Sequence, residues 1–449
     1  MKRPPQSIFL DGPGSVPLEG DAAYRATVER LYALARSGTK FGLERIEKAL
    51  MALGHPERGP RFVHVAGSNG KGSTCAFLSA VLARAPELFN GEPEVGLFTS
   101  PHLVSLTERV QFVTPAGSTS IPPLELVAAV QEVESAIPGL ESLSFFEVVT
   151  AAALVAMRRR GIEVAVIEAG LGARLDATRL VQAEVSVLTD LSLEHTAILG
   201  ESIEEIAAEE GAVVRPGRPL VMADGPPVAM KVVDRMAAEA RAPVFRLGRD
   251  FSVARAGDAW SFEWKQNPPL KSVPLALSGP HQARNAALAG QAALLLTKVS
   301  SDALRAGLGS AQWPGRLERV SLRGVDLLLD GAQNPHAARS LAEALDDAGS
   351  PPHHVLFGVM RDKDVGQMLN ALAPWAASWT FTRPSSTRAR SPGELAAHMP
   401  GSSSVEAPAE ALEHVLRLAR RDGRPVLVCG SLYLVGDVRA IVSGGRVRS

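Results

Sequence analysis

The sequence predicts an α/β fold in two domains, a larger first one and a smaller second one, each built on a mostly parallel sheet. Short apolar, β-branched runs alternate with helical stretches, as strands and crossover helices do. That alternation pauses near residue 300 and then restarts. The length of 449 residues, with 46% hydrophobic content, is enough to bury at least two cores.

Taken in order, FGLERIEKALMALG puts Leu43, Ile46, Leu50 and Leu53 at helical spacing, and Gly54 ends the pattern. Strands are expected at RFVHVAG, EVGLFTS, IEVAVIEAG and AEVSVLTD, with helices at TCAFLSAVLARA and FFEVVTAAALVAMRRRG between them. VTPAGSTSIPP, crowded with Gly, Pro and Ser, reads as a loop or lid. After the apolar helix HQARNAALAGQAALLL, strands follow at VDLLLD, HHVLFGV, SWTFTR and PVLVCG. Helices at ARSLAEALDDAG, DVGQMLNALA and AEALEHVLRLARR separate them. The expected domains are residues 1–299 and 300–449.

Lysine plus arginine, 47, nearly balances aspartate plus glutamate, 48. No basic field gathers nucleic acid, so the expected partner is a small molecule. Cys75 and Cys429 are too few for a disulfide framework or thiolate cluster, which suits a reducing cytoplasm. No run of about 18 apolar residues exists to span a membrane, and MKRPPQSIFLDG lacks the apolar stretch of a signal peptide.

Ligands of open parallel sheets sit beyond the carboxyl ends of the strands. Those positions here are polar and glycine-rich: residues 67–73, 99–102, 168–176, 190–195, 330–336 and 430–433. The first, FVHVAGSNGKGST, is a strand, a glycine-rich turn and a helix start. Such a turn leaves backbone N–H groups and a helix dipole facing one spot, a place for phosphate. Lys71 adds a mobile cation and Ser73 a hydroxyl for magnesium. The usual loop has four residues before Gly-Lys and a Ser or Thr directly after the lysine. This one is shorter before the lysine, and Gly72 separates lysine from serine.

GSNGKGST resembles the phosphate loop of the Mur ligase superfamily. With LERIEKALMALG, FTSPHL, SFFEVVTAAAL, EAGLGARLDAT, LEHTAILGESIEEIA, GPHQARNAALA, PGRLE, LLDGAQNPHA and GSLYLVGDV, the chain is similar to folylpolyglutamate synthase and bifunctional dihydrofolate synthase from about residue 38 to 440. The resemblance implies a P-loop N-terminal domain, a Rossmann-like C-terminal domain and an active cleft between them. It also implies an ATP-dependent amide ligase: ATP phosphorylates a pterin-linked carboxylate, and the amine of L-glutamate attacks the acyl phosphate. Two Mg2+ ions and a monomer are expected.

Carried over by motif, Gly67, Ser68, Asn69, Gly70, Lys71, Gly72 and Ser73 hold phosphates, with Lys71, Glu147 and His195 in catalytic places. Ser73 and Glu147 hold a first magnesium and His195 touches a second. Glu147 also fits a capping box with Ser144, a purely structural role. Asn285 meets adenine, Arg316 reaches the phosphates from the second domain, and Asp330 meets the nucleotide or caps the helix after Pro335. Thr39, Lys40, Phe41 and Asp176 are expected near the folate or dihydropteroate.

Several positions depart from the family pattern. Glu194 stands where aspartate is usual, Gln333 where histidine is, Ala173 where glycine is and Arg179 where asparagine is. Glu210 replaces a lysine that is carbamylated in the family. It reads equally as a substitute metal ligand or as part of a solvated helix face with Glu204, Glu205 and Glu209. Arg179 is expected to add a cation on the substrate side. Glu210 and Gln333 also motivate a second reading, a paralogue that binds nucleotide or folate without turnover.

Overall fold

The computed structural model describes residues 22–36, 42–137, 143–265 and 267–445. Thr39, Lys40 and Phe41 therefore lie outside the described residues.

The first domain is an eight-stranded sheet. Its order across the sheet is 117–120, 110–114, 95–98, 164–168, 61–66, 183–188, 220–222 and 244–246. Only the first two strands of that order run antiparallel to their neighbours. The strand Arg61–Ala66 is central and buried on both faces. Side chains alternate across it, so Val63 and Val65 join one core and Phe62 the other. On the Val63 side the helix Lys71–Leu82 lies beside the helix Pro280–Leu296, and both are buried nearly all round. On the Phe62 side lie the helices Ala22–Arg36, Glu44–Ala52, Pro123–Ala136 and Phe145–Arg159.

The second domain is a six-stranded sheet in the order 318–322, 325–329, 426–429, 353–357, 376–381 and 403–404, parallel except for its first pair. One face packs on the helices Pro408–Asp422 and Leu432–Gly445, the other on Pro335–Asp347 and Val365–Leu372. Among the described residues no helix is long and apolar enough to cross a membrane.

Two features differ from the sequence reading. The presumed lid is a hairpin, with the strands Val110–Thr114 and Gly117–Ser120 joined at Pro115 and Ala116. Its turn residues made it look like a loop, yet an edge hairpin accommodates them. A three-stranded antiparallel sheet spans Phe251–Val273, in a stretch that gave no strand signal. The helix Ser301–Leu308 buries Leu304 and Leu308 in the first core together with Ala311. The passage from this core to the first strand of the second sheet runs from Ala311 to Glu318.

Candidate active site

The carboxyl ends of both sheets face one cleft, a cavity of about 400 Å³. The phosphate loop forms its floor. Gly67 has φ +129° and Gly70 φ +88°, values that side chains rarely adopt. Each glycine also admits a neighbour: a Cβ on Gly67 would lie 2.2 Å from Thr189 Oγ1, and one on Gly70 2.5 Å from Asn285 Oδ1. The loop is tied down from outside. Ser68 N donates to Asp190 O at 2.9 Å, Ser68 Oγ to Ser192 O at 3.1 Å, and Asn69 Nδ2 to Ser192 Oγ at 2.9 Å. Lys71 Nζ folds back to donate to Gly67 O at 2.6 Å, and Ser73 is buried beside it at the helix start.

Glu210 is neither on a solvated face nor on the cavity wall. Its carboxylate is buried behind the loop, where Oε2 accepts the Gly67 N–H at 2.9 Å. Burial pushes its pKa up, against the pull of Lys71 and that N–H. Of the other acids of this helix, Glu205 completes a capping box with Ser202, Glu209 pairs with Arg174 at 2.6 Å, and Glu204 is exposed.

Glu147 borders the cavity, and only one of its carboxylate oxygens serves the capping box, while Oε1 is buried without a hydrogen-bond partner. Oε2 accepts the Ser144 N–H at 2.7 Å, and Oε1 forms only an ion pair, with Arg45 at 3.2 Å. A second acid placed for a cation is Glu168, at the end of the strand Val164–Glu168, which sequence reasoning left without a role. It is buried, lines the cavity and accepts the Ser100 N–H at 3.1 Å. Burial raises its pKa to about 7, while Lys71 acts in the opposite direction. Among the described residues no three acidic, His or Cys side chains already converge as a metal cluster. The donors Ser73, Glu147, Glu168 and His195 nonetheless share the cavity, and the oxygen donors among them suit magnesium beside phosphate oxygens.

The raised pKa of Glu168 makes a pH prediction. The folded protein keeps this proton while the unfolded chain releases it near 4.5, so the group lowers folding stability as pH rises from 4.5 to 7. The loss amounts to about 3 kcal/mol across that window. Urea midpoints of nucleotide-free wild type should fall relative to Glu168→Gln between pH 5 and pH 7.5. Parallel profiles would contradict this.

His195 sits at φ +53°, just before the short helix Thr196–Leu199. Burial lowers its pKa to about 4, with Glu194 working the other way, so its imidazole is neutral at pH 7 and has a lone pair to offer. Glu194 is a meeting point of the two domains. Its Oε1 accepts from Gln333 Nε2 at 3.2 Å and lies 3.5 Å from Lys363 Nζ and 3.7 Å from His195 Nε2. Burial works against this carboxylate, but His195 and Lys363 overcome it and hold its pKa below the usual value. The two departures at Glu194 and Gln333 therefore touch each other. Asn334 Nδ2 adds a second link between the domains, to Asn69 Oδ1 at 3.1 Å.

Asn285 is buried, with Nδ2 on Gln282 Oε1 at 3.1 Å, and lines the cavity together with Arg316. Asp330 does not cap the following helix; Asn334 does, accepting the Ala337 N–H at 2.8 Å. Asp330 instead accepts the amides of Leu317 at 3.0 Å and Ala332 at 2.9 Å, which sets the chain leading from Arg316.

One lobe of the cavity is apolar, lined by Phe145, Phe146, Leu171, Ala177 and Leu199. Asp176 borders it with a buried carboxylate that accepts the Gly170 and Leu171 amides, each at 3.1 Å, and the Thr178 amide at 3.0 Å. Arg109, also unforeseen, is buried at the cavity wall over Phe145. Its Nε donates to His102 Nδ1 at 2.9 Å, so the ring proton lies on Nε2, 3.1 Å from Tyr32 Oη. Arg179 turns away from the cavity: its Nη1 donates to Val214 O at 3.3 Å. Ala173 leaves the positive φ of its turn to Gly172, at +63°.

Residues 315–432 match the Mur ligase glutamate ligase domain. The chain is 32% identical over 443 residues to the folylpolyglutamate synthase of Lacticaseibacillus casei, covering 94% of this chain and 99% of that protein. It is 36% identical over 438 residues to a probable bifunctional folylpolyglutamate synthase/dihydropteroate synthase of Haloferax volcanii, covering 93% of this chain but only 50% of that longer protein. Among solved structures, E. coli FolC in complex with DHPP and ADP matches with a TM-score of 0.84 at 31% identity, covering 98% of this chain and 100% of that one. The chain belongs to the folylpolyglutamate synthase/dihydrofolate synthase family of Mur ligases.

Proposed function

We propose that the cleft joins L-glutamate to the free carboxylate of a folate, and of dihydropteroate, at the expense of ATP. The observation that carries this reading is one cavity holding a phosphate loop, an apolar lobe and cations from both domains. A solved relative in this fold carries ADP and DHPP together.

A carboxylate is a poor electrophile, so its oxygen first attacks the γ-phosphorus, the bond to ADP breaks, and an acyl phosphate results. The glutamate amine then attacks the acyl carbon. Phosphate departs with the bonding pair and the nitrogen loses a proton. Lys71, the loop amides and Arg316 supply positive charge around the transferring group, the main demand of phosphoryl transfer. The apolar lobe takes the pterin and aminobenzoyl rings. Ser73, Glu147, Glu168 and His195 would hold Mg2+, which when bound neutralises phosphate charge. Closure of the cleft, held by Gln333 and Lys363 on Glu194, keeps water from the acyl phosphate. The working form proposed is a cytoplasmic monomer, because one chain supplies both walls of the cleft.

The test is incubation of the protein with ATP, Mg2+, L-glutamate and either dihydropteroate or tetrahydrofolate, with product mass as the readout. A gain of one glutamyl unit is expected. ATP binding without any glutamylated pterin would favour the non-catalytic reading instead. Because Glu210 carries its own carboxylate, turnover should be unchanged in bicarbonate-depleted buffer. A bicarbonate requirement would show that the reaction needs a carbamate, which Glu210 cannot supply.

A further inference from the structure

Gly72, the residue between Lys71 and Ser73, has no conformational need to be glycine. It lies in the first turn of the helix Lys71–Leu82 and, unlike Gly67 and Gly70, it is not in the left-handed region. On backbone grounds alanine would favour this helix by about 1 kcal/mol. What forbids a side chain is Trp313. A Cβ on Gly72 would lie 2.5 Å from its Cζ2, 2.7 Å from Cε2 and 2.8 Å from Nε1. The indole thus occupies the space a side chain would take.

Trp313 belongs to the connection between the two cores, after Ala311 in the first and before the strand Glu318–Leu322 of the second. Immediately beyond it the connection is knit to the second domain. Gly331 N donates to Gly315 O at 2.8 Å, and Leu317 N to Asp330 Oδ2 at 3.0 Å. Arg316, held between these two bonds, lines the cavity. The connection therefore touches the first domain at the phosphate loop and the second domain at the base of Arg316.

We propose that Trp313 is a positioning residue for the ligase reaction: seated on Gly72, it registers the interdomain connection on the phosphate loop and so sets where Arg316 meets the nucleotide phosphates. This deepens the reading of the loop as the nucleotide site and rests on it. The glycine after the lysine is the seat for this indole, which accounts for a residue without a side chain at that position.

The proposal is tested with wild type, Gly72→Ala, Trp313→Ala, Trp313→Phe and the Gly72→Ala/Trp313→Ala double variant, using calorimetric ADP binding and steady-state kinetics. Trp313→Ala should raise the KM for ATP by about 10-fold or more and leave that for the pterin unchanged. Trp313→Phe, which keeps a ring on Gly72, should recover most of the loss. Gly72→Ala alone should weaken ADP binding at least as much as Trp313→Ala. In the Trp313→Ala background it should add less than about 2-fold, because its methyl then has room. Equal damage by Gly72→Ala in both backgrounds would overturn the proposal, since the glycine would then serve phosphate directly. So would an unchanged KM for ATP in Trp313→Ala. Failure of wild type to bind ADP is a different outcome, and it would remove the nucleotide reading beneath the proposal.

Discussion

Replacing Lys71 with alanine lowers kcat/KM for ATP by about 10³-fold, roughly 4 kcal/mol of transition-state stabilisation. The ammonium is the one mobile charge on the loop, and it donates to Gly67 O. Moving it to a phosphate costs one hydrogen bond to a neutral carbonyl and gains several charged ones. Most of the loss should fall on kcat, because charge on the transferring phosphoryl group is what the lysine meets. Thermal stability should fall modestly, since the ammonium offsets the burial of Glu168 and Glu210. A variant with normal kcat and only a raised KM would show that the lysine holds ground-state nucleotide and nothing more.

Replacing Glu194 with leucine lowers kcat by about 10²-fold and destabilises the protein by roughly 3 kcal/mol. Its carboxylate is buried, and the Lys363 ammonium beside it is only 10% exposed. Without the acid, Lys363 keeps the more exposed Asp362 at 3.4 Å, and the Gln333 amide loses its acceptor. Gln333 and Lys363 belong to the second domain, so the fault falls on the fit between domains, and it extends to His195, 3.7 Å away in the first. Glu194→Gln, which keeps an acceptor but not the charge, should lie between wild type and Glu194→Leu. The readouts are the kinetics and the urea midpoint. A Glu194→Leu variant as stable and active as wild type would show that the domains are registered elsewhere.

The parts of the structure legible in the sequence are those written locally. Central strands such as Arg61–Ala66, where His64 is the one polar interruption, are short, largely apolar runs, and the phosphate loop announces itself by a strand, three glycines and a helix within thirteen residues. The Ser144–Glu147 capping box is equally local, and the structure forms it as its spacing suggests. The strands within Phe251–Val273 escaped notice because Pro268, Pro269 and exposed charges interrupt any alternation. Glu168, Arg109 and Lys363 were illegible for another reason. Each is an ordinary charged residue in its own stretch of chain, and its meaning comes from strands of distant sequence ending at one cleft. The end of a buried strand was a signal for Glu168, since a carboxylate closing VAVIE at a sheet's carboxyl edge is costly to bury without a partner. Glu210 shows the limit most plainly: its neighbours in sequence are acidic and exposed or half-buried, yet it alone turns inward to the Gly67 amide.

The central claim is that ATP activates a pterin-linked carboxylate in this cleft before glutamate attacks. The most direct measurement uses a pterin substrate with ¹⁸O in that carboxylate and follows the label during a single turnover with ATP, Mg2+ and L-glutamate. An acyl phosphate carries one labelled oxygen into the released inorganic phosphate and leaves the other in the new amide. Glutamylated product accompanied by unlabelled phosphate would contradict the account.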